Sequence, residues 1–218
     1  MKQPSGEGSI LAALTPSSRL TLCGGVVSTA AVFLFIEASS TRGHEHWFGL
    51  GAACMFSGLL CDAFDGLLAR RFLWESDFGK QLDSLCDTIT LLIAPAVALW
   101  VLGARDLWPS LAMLAMVGAG LLRLARFTLT GNLETERGLA YVGMPCWYSH
   151  FAVVGLVLVH ACAPRLFEAA LIAVLLPMSW LFVSRWTFPK PKSALVIFST
   201  IFALIVGSLV VFILRLPI

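Results

Sequence analysis

Asp62, Asp65, Asp83 and Asp87 fall within 26 residues of a chain that is otherwise strongly apolar around them. An ionisable side chain in a membrane segment is costly and marks a functional site by default. Asp62 and Asp65 are spaced i, i+3, and Asp83 and Asp87 i, i+4, so each pair shares one face of a helix. Four carboxylates that converge cannot all stay ionised without cations; either some hold protons or a divalent metal is bound. Oxygen-only ligands favour a hard ion such as Mg²⁺, Mn²⁺ or Ca²⁺. Two metals bridged by carboxylates are an arrangement suited to phosphoryl transfer, where they stabilise the entering and leaving oxygens. Intramembrane acids also serve cation or proton pathways. A third reading is an interfacial charge cluster balanced by Arg70, Arg71 and Lys80, which would suit one aspartate better than four at this spacing. Gly66 lies four residues after Asp62, Ala69 four after Asp65, and Gly79 four before Asp83. These small residues line the carboxylate face, leaving room for a ligand near the backbone or for close helix packing.

The elements that must position these residues are membrane helices. The chain has 218 residues, 58% hydrophobic and 13% charged, against about 25% charged in soluble domains. A spanning helix needs roughly 20 mostly apolar residues, and seven segments qualify: about 20–38, 47–71, 80–102, 108–128, 142–162, 166–184 and 194–214. The sequence therefore predicts an all-α polytopic bundle in a single integral membrane domain over 1–218. Residues 1–19 form a juxtamembrane segment, with a short amphipathic surface helix expected there, and about 20–214 form the bundle. Met1 to Thr15 lacks the apolar core of a cleavable leader. The polar connections, including Thr130 to Gly138, read as loops. With the N-terminus in the cytoplasm, eleven of the fifteen basic residues fall on the cytoplasmic side, as the positive-inside bias requires. That places the four aspartates at the cytoplasmic ends of the second and third spans, antiparallel neighbours whose acidic faces can meet. Tryptophans such as Trp47, Trp74, Trp100, Trp108 and Trp186 sit near span ends, as an interfacial belt does. The six cysteines form no C-x-x-C pair and read as small buried apolar residues. His150, within an apolar span, reads as a hydrogen-bonded structural residue.

Asp62-x-x-Asp65-Gly66-x-x-Ala69-Arg70-x8-Gly79-x-x-x-Asp83-x-x-x-Asp87 matches the signature of the CDP-alcohol phosphotransferase family at all eight fixed positions. Beyond the signature, Glu75 to Asp87 followed by Ala94-Pro95-Ala96 resembles the bacterial and archaeal phosphatidylserine synthase branch. So do Leu122-Arg123-Leu-Ala-Arg126-Phe127, Gly143-Met144-Pro145, and Val183-Ser184 with Lys190 beyond. The resemblance implies a membrane enzyme with a six-helix core, here with about one extra helix, usually a homodimer, displacing CMP from CDP-diacylglycerol with an alcohol. It implies that Asp62, Asp65 and Asp83 hold two divalent metals, Mg²⁺ or Mn²⁺, and that Asp87 shares in the site and acts as base on the attacking hydroxyl. Gly66, Ala69, Arg70 and Gly79 would border the CDP/CMP moiety. In this branch the acceptor is L-serine and the product phosphatidylserine, made at the cytoplasmic face of the inner membrane among membrane lipids, with no nucleic acid as partner. Glycerol phosphate is disfavoured because Asp83-Ser-Leu-Cys-Asp87-Thr88 lacks that branch's Asp-Pro-x-Ala-Asp-Lys look; inositol phosphate and choline- or ethanolamine-type acceptors stay open, as does a cation transporter. Arg123, Arg126 and Lys190 are expected to bind a lipid phosphate or the acceptor, since arginine suits both anions. The chain departs from the branch after Pro145, where Cys146-Trp147-Tyr148 replaces a second proline and small residues.

Overall fold

Long apolar runs with sparse charge fold as helices because a backbone in hydrocarbon must satisfy its own hydrogen bonds. In the computed structural model, which describes residues 14–40, 45–131, 133–135 and 138–189, they do so as α1 (Pro16–Ser40), α2 (Glu45–Phe72), α3 (Asp77–Asp87), a π-helical segment (Thr88–Ile93) and α4 (Ala94–Val101). There follow α5 (Leu107–Thr130), α6 (Tyr148–Cys162) and α7 (Phe167–Val183). Five stretches among the described residues are long and apolar enough to cross a membrane: Pro16–Ser40, His46–Phe72, Asp77–Val101, Leu107–Thr130 and Pro164–Val183. The chain is an all-α, multi-pass membrane protein. The expected seventh span, 194–214, and Lys190 lie outside the described residues.

Two boundaries differ from the sequence reading. The first helix begins at Pro16, so the last residues of the supposed juxtamembrane segment are its opening turn. Thr15 caps it, its Oγ1 accepting from the Ser18 amide at 3.2 Å, and proline suits the first helical position, where no amide is needed. The fifth span, expected over 142–162, is helical only over the fifteen residues Tyr148–Cys162.

Of the missing residues, Val142 ends a strand of a small antiparallel sheet and 143–147 form the non-helical connection into α6. β1 (Leu133–Thr135) pairs with β2 (Gly138–Val142), aligning Leu133 with Ala140, and β2 pairs with β3 (Thr187–Pro189), aligning Tyr141 with Phe188. The sheet links the connection after α5 to the one after α7. Pro189 sits on an edge strand, where its missing amide costs no ladder bond.

α1 and α2 pack through small residues. A Cβ on Gly24 would come within 2.8 Å of the Cys61 Cβ, and one on Gly58 would collide with the Ser28 Oγ. Close backbone approach of this kind drives association where lipid offers no hydrophobic contrast. The core among the described residues runs from Phe35, Met55 and Phe56 through Leu92 and Leu99 to Met116, Leu156, Leu171 and Phe182. Buried hydroxyls tie the layers: Thr90 donates to Ser28 Oγ at 2.8 Å, and Ser149 donates to the Leu91 carbonyl at 2.6 Å. His150 is fully buried, its Nδ1 3.3 Å from Ser149 Oγ and its ring edge-on to Phe56, in keeping with a structural role.

Candidate active site

One end of the bundle gathers the C-termini of α2, α5 and α7, the N-termini of α1, α3 and α6, and the sheet. The turn between α2 and α3 is closed by the Trp74 amide donating to the Ala69 carbonyl at 3.0 Å, with Leu73 at φ 57°. α3 then starts at Ser76, whose Oγ accepts from the Gly79 amide at 3.0 Å. This tight reversal sets the acidic face of α2 against that of α3.

Asp62, Asp83 and Asp87 converge there: one carboxylate oxygen from each lies within 4.8 Å of the others. Asp62 and Asp87 are within hydrogen-bonding reach of one another. Asp65 stands one turn further along α2, beside this trio rather than in it. It is 4% exposed, faces Thr21 of α1, and its Oδ2 has no hydrogen-bond partner among the described residues. Within the described residues the sole ion pair is Lys80 with Asp77, at 3.8 Å on the surface. Arg70 is close enough to act electrostatically on Asp62 and Asp83 but forms no ion pair with either. An interfacial cluster balanced by its own basic residues does not have this form. Three convergent carboxylates plus an orphaned buried carboxylate oxygen are a donor set for a hard divalent cation.

The small residues divide into two kinds. A Cβ on Gly79 would lie 2.9 Å from Ser18 Oγ and 3.0 Å from Ser76 Oγ, so helix approach already requires glycine there. A Cβ on Gly66 would meet nothing nearer than the Arg70 Nη1 at 3.5 Å, an ordinary contact. Packing among the described residues leaves space at Gly66, on the acidic face and beneath the Arg70 guanidinium. Ala69 is half-buried on the same helix.

Just past Asp87 the helix widens into the π segment, a device frequent at functional sites. Such a bulge frees backbone carbonyls from regular pairing, and Ser149 at the head of α6 takes one of them, that of Leu91.

Sequence reasoning grouped Arg123 and Arg126 as anion binders. The structure gives them different surroundings. Arg126 is spent on backbone carbonyls: Nη2 donates to Val142 at 2.9 Å and to Phe182 and Ser184 at 3.3 Å, and Nη1 to Ser184 at 3.3 Å. It caps the C-terminus of α7 and fastens β2 to it, as a cation at a helix C-terminus does. Gly143, at φ 77°, threads this junction; a Cβ there would collide with the Phe182 carbonyl. Arg123 is 6% exposed, its guanidinium carbon 5.7 Å from the Phe127 ring centre and 5.8 Å from that of Tyr141. Nη1 donates to the Cys146 sulfur at 3.8 Å, and Nε has no partner among the described residues.

Tyr141 is a residue beside the site that sequence reasoning passed over, while Cys146 stands out in sequence only as part of the departure after Pro145. Tyr141 is within electrostatic range of Arg123, Arg70, Asp62 and Asp87; burial pushes its hydroxyl up and Arg123 draws it down. Cys146, 1% exposed, is pushed up to about 11 by burial, against the pull of Arg123. The departure after Pro145 was the available signal for Cys146; nothing local marked Tyr141, because its place depends on strand pairing.

The chain matches a family model along nearly its whole length and individual relatives over part of it. The sequence model of the CDP-alcohol phosphatidyltransferase family covers residues 14–216. A CDP-diacylglycerol–serine O-phosphatidyltransferase of Bacillus subtilis is 30% identical over 141 residues, covering 63% of this chain and 73% of the relative. Proteins of the same name from Mycobacterium bovis and Methanocaldococcus jannaschii are 27% and 31% identical, over 71% and 46% of this chain. The matched part is about half the length of those two relatives, at 52% and 47%. With the eight-position signature folded into one carboxylate cluster and the family's model spanning the bundle, this chain belongs to the CDP-alcohol phosphatidyltransferase family.

Proposed function

We propose that this protein transfers the phosphatidyl group of CDP-diacylglycerol to the hydroxyl of L-serine, releasing CMP and forming phosphatidylserine. The observation that carries the reading is the convergence of Asp62, Asp83 and Asp87, one carboxylate oxygen of each within 4.8 Å of the others, with Arg70 acting electrostatically on Asp62 and Asp83. It is supported by the names of the relatives in bacteria and an archaeon.

Asp62, Asp65 and Asp83 are proposed to hold two divalent metals, Mg²⁺ or Mn²⁺, with Asp87 sharing the site. When bound, such ions neutralise pyrophosphate charge and make CMP a better leaving group. The space at Gly66, with Ala69 and Arg70 beside it, suits the cytidine phosphate; Gly79 keeps α3 close enough to α1 to wall it. Asp87 takes the proton of the serine hydroxyl as its oxygen bonds to the phosphatidyl phosphorus. The phosphorus–oxygen bond to CMP breaks, and CMP carries away the electron pair. Arg123 receives the serine carboxylate, while Arg126 braces the wall. Lipid tails stay in the bilayer and the head group reacts at the helix ends; the excess of basic residues on that side supports a cytoplasmic-facing site, with the inner membrane as the proposed location. A homodimer is the expected assembly.

The test is CMP release by purified protein with Mn²⁺ or Mg²⁺, CDP-diacylglycerol and a panel of alcohols. Serine-dependent CMP release with phosphatidylserine formed is expected. No CMP with any alcohol, together with metal flux in proteoliposomes, would replace the enzyme by a cation transporter. CMP with glycerol phosphate, inositol phosphate or ethanolamine but not serine would reassign the acceptor.

A further inference from the structure

A guanidinium carries five N–H donors and stays charged in any protein setting. Arg123 is 6% exposed, yet its one hydrogen bond among the described residues goes to a thiol. Among the described residues its Nε is unpartnered and no carboxylate lies within ion-pair distance. Leaving a buried cation uncompensated is costly, so the fold holds this charge in readiness. The aromatic rings of Phe127 and Tyr141 flank it, their centres 5.7 and 5.8 Å from the guanidinium carbon. The thiol itself is a weak acceptor. Cys146 Sγ is fixed on its other side, donating to the Gly120 carbonyl of α5 at 3.9 Å, and it lies within electrostatic range of Asp87. One sulfur is thus bonded by the cation and acts electrostatically on the proposed base.

We propose that Cys146 is a positioning residue for the acceptor: its thiol aims the Arg123 guanidinium while leaving its charge uncommitted, so that the carboxylate of a small hydroxy acid supplies the missing partner. The inference rests on the serine reading above and adds what makes the site select a carboxylate. A carboxylate at this position would satisfy Arg123 permanently and close the subsite; an apolar side chain would leave the guanidinium free to turn. Sulfur meets both demands. The acceptor so selected carries a hydroxyl for Asp87 and an anionic group for Arg123.

The experiment uses the full chain reconstituted with CDP-diacylglycerol and Mn²⁺, with L-serine and ethanolamine as acceptors and thermal unfolding measured alongside. Cys146→Ala is expected to raise KM for serine about tenfold, the loss of roughly one oriented hydrogen bond, with KM for CDP-diacylglycerol within about twofold by the same arithmetic. Cys146→Ser is expected to restore the serine KM. Cys146→Asp, which hands Arg123 a permanent carboxylate, is expected to lower the ratio of kcat/KM for serine over ethanolamine by about tenfold or more. The proposal is overturned if Cys146→Ala and Cys146→Ser change both substrates' KM alike, or if Cys146→Asp leaves the acceptor ratio unchanged. Wild-type protein that makes CMP with another alcohol and not with serine overturns the acceptor reading itself.

Discussion

Arg126 and Val142 are joined by a 2.9 Å hydrogen bond from guanidinium to backbone carbonyl, and this single contact separates the duties of two arginines three residues apart. The carbonyls of Val142, Phe182 and Ser184 converge on Arg126 from β2 and from the end of α7. With Arg126 so engaged, Arg123 is left buried and available.

Arg126→Ala should therefore act first on structure. Hydrogen bonds to a charged group contribute about 1.5–3 kcal/mol each to stability, and several are lost at once. A fall in the unfolding temperature is expected, with activity lost at temperatures the wild type tolerates. Arg126→Lys should recover little, because one ammonium cannot span carbonyls from two elements. Unchanged unfolding temperatures in both variants would remove the clamp.

Gly66 and Gly58 make a matched pair. Gly66→Ala meets only an ordinary contact within the protein, so its unfolding temperature should match the wild type while KM for CDP-diacylglycerol rises. Gly58→Ala collides with Ser28 Oγ and should destabilise the protein by about 1–3 kcal/mol, as overpacking does. Equal effects of the two on stability would show that Gly66 is only a packing residue.

Ser149→Ala strands the Leu91 carbonyl in the interior, at a cost of about 1–3 kcal/mol. Because that carbonyl lies four residues beyond Asp87 in the π segment, turnover should fall more than affinity for either substrate. A variant with lowered stability and normal kcat would uncouple the π segment from the site.

Asp87→Asn should lower kcat by about 10²–10⁴-fold, the usual contribution of a general base, with CDP-diacylglycerol binding largely kept. Chelation of divalent cations should abolish CMP release, and restoring Mn²⁺ should recover it. Metal at one hundred times its dissociation constant should also raise stability by about 2.7 kcal/mol, measured as a shift in unfolding temperature. That shift should shrink in Asp62→Asn and Asp83→Asn if they are ligands.

Much of this protein was readable from its residues alone, for reasons of short range. Hydropathy over windows of about 20 residues marks helices that cross a bilayer, and α2, α5 and α7 begin and end within two residues of the expected bounds. The aspartate spacing carries the acidic faces of α2 and α3, and the tight turn between them makes those faces meet. Tertiary structure decided the rest. Ten-odd polar residues after α5 looked like a loop because three short strands acquire their hydrogen bonds only from one another, β3 lying more than forty residues beyond β2. Arg123 and Arg126 look alike in sequence; partners 16 to 58 residues away make Arg126 a clamp, while Arg123 keeps an unpartnered Nε among the described residues. Cys146 stood out in sequence only as part of the departure after Pro145; the fold set its sulfur between Arg123 and Gly120. Periodicity reports which face a side chain occupies. Which donors remain unfilled depends on every element packed against that face, and that is settled only when the chain has closed on itself.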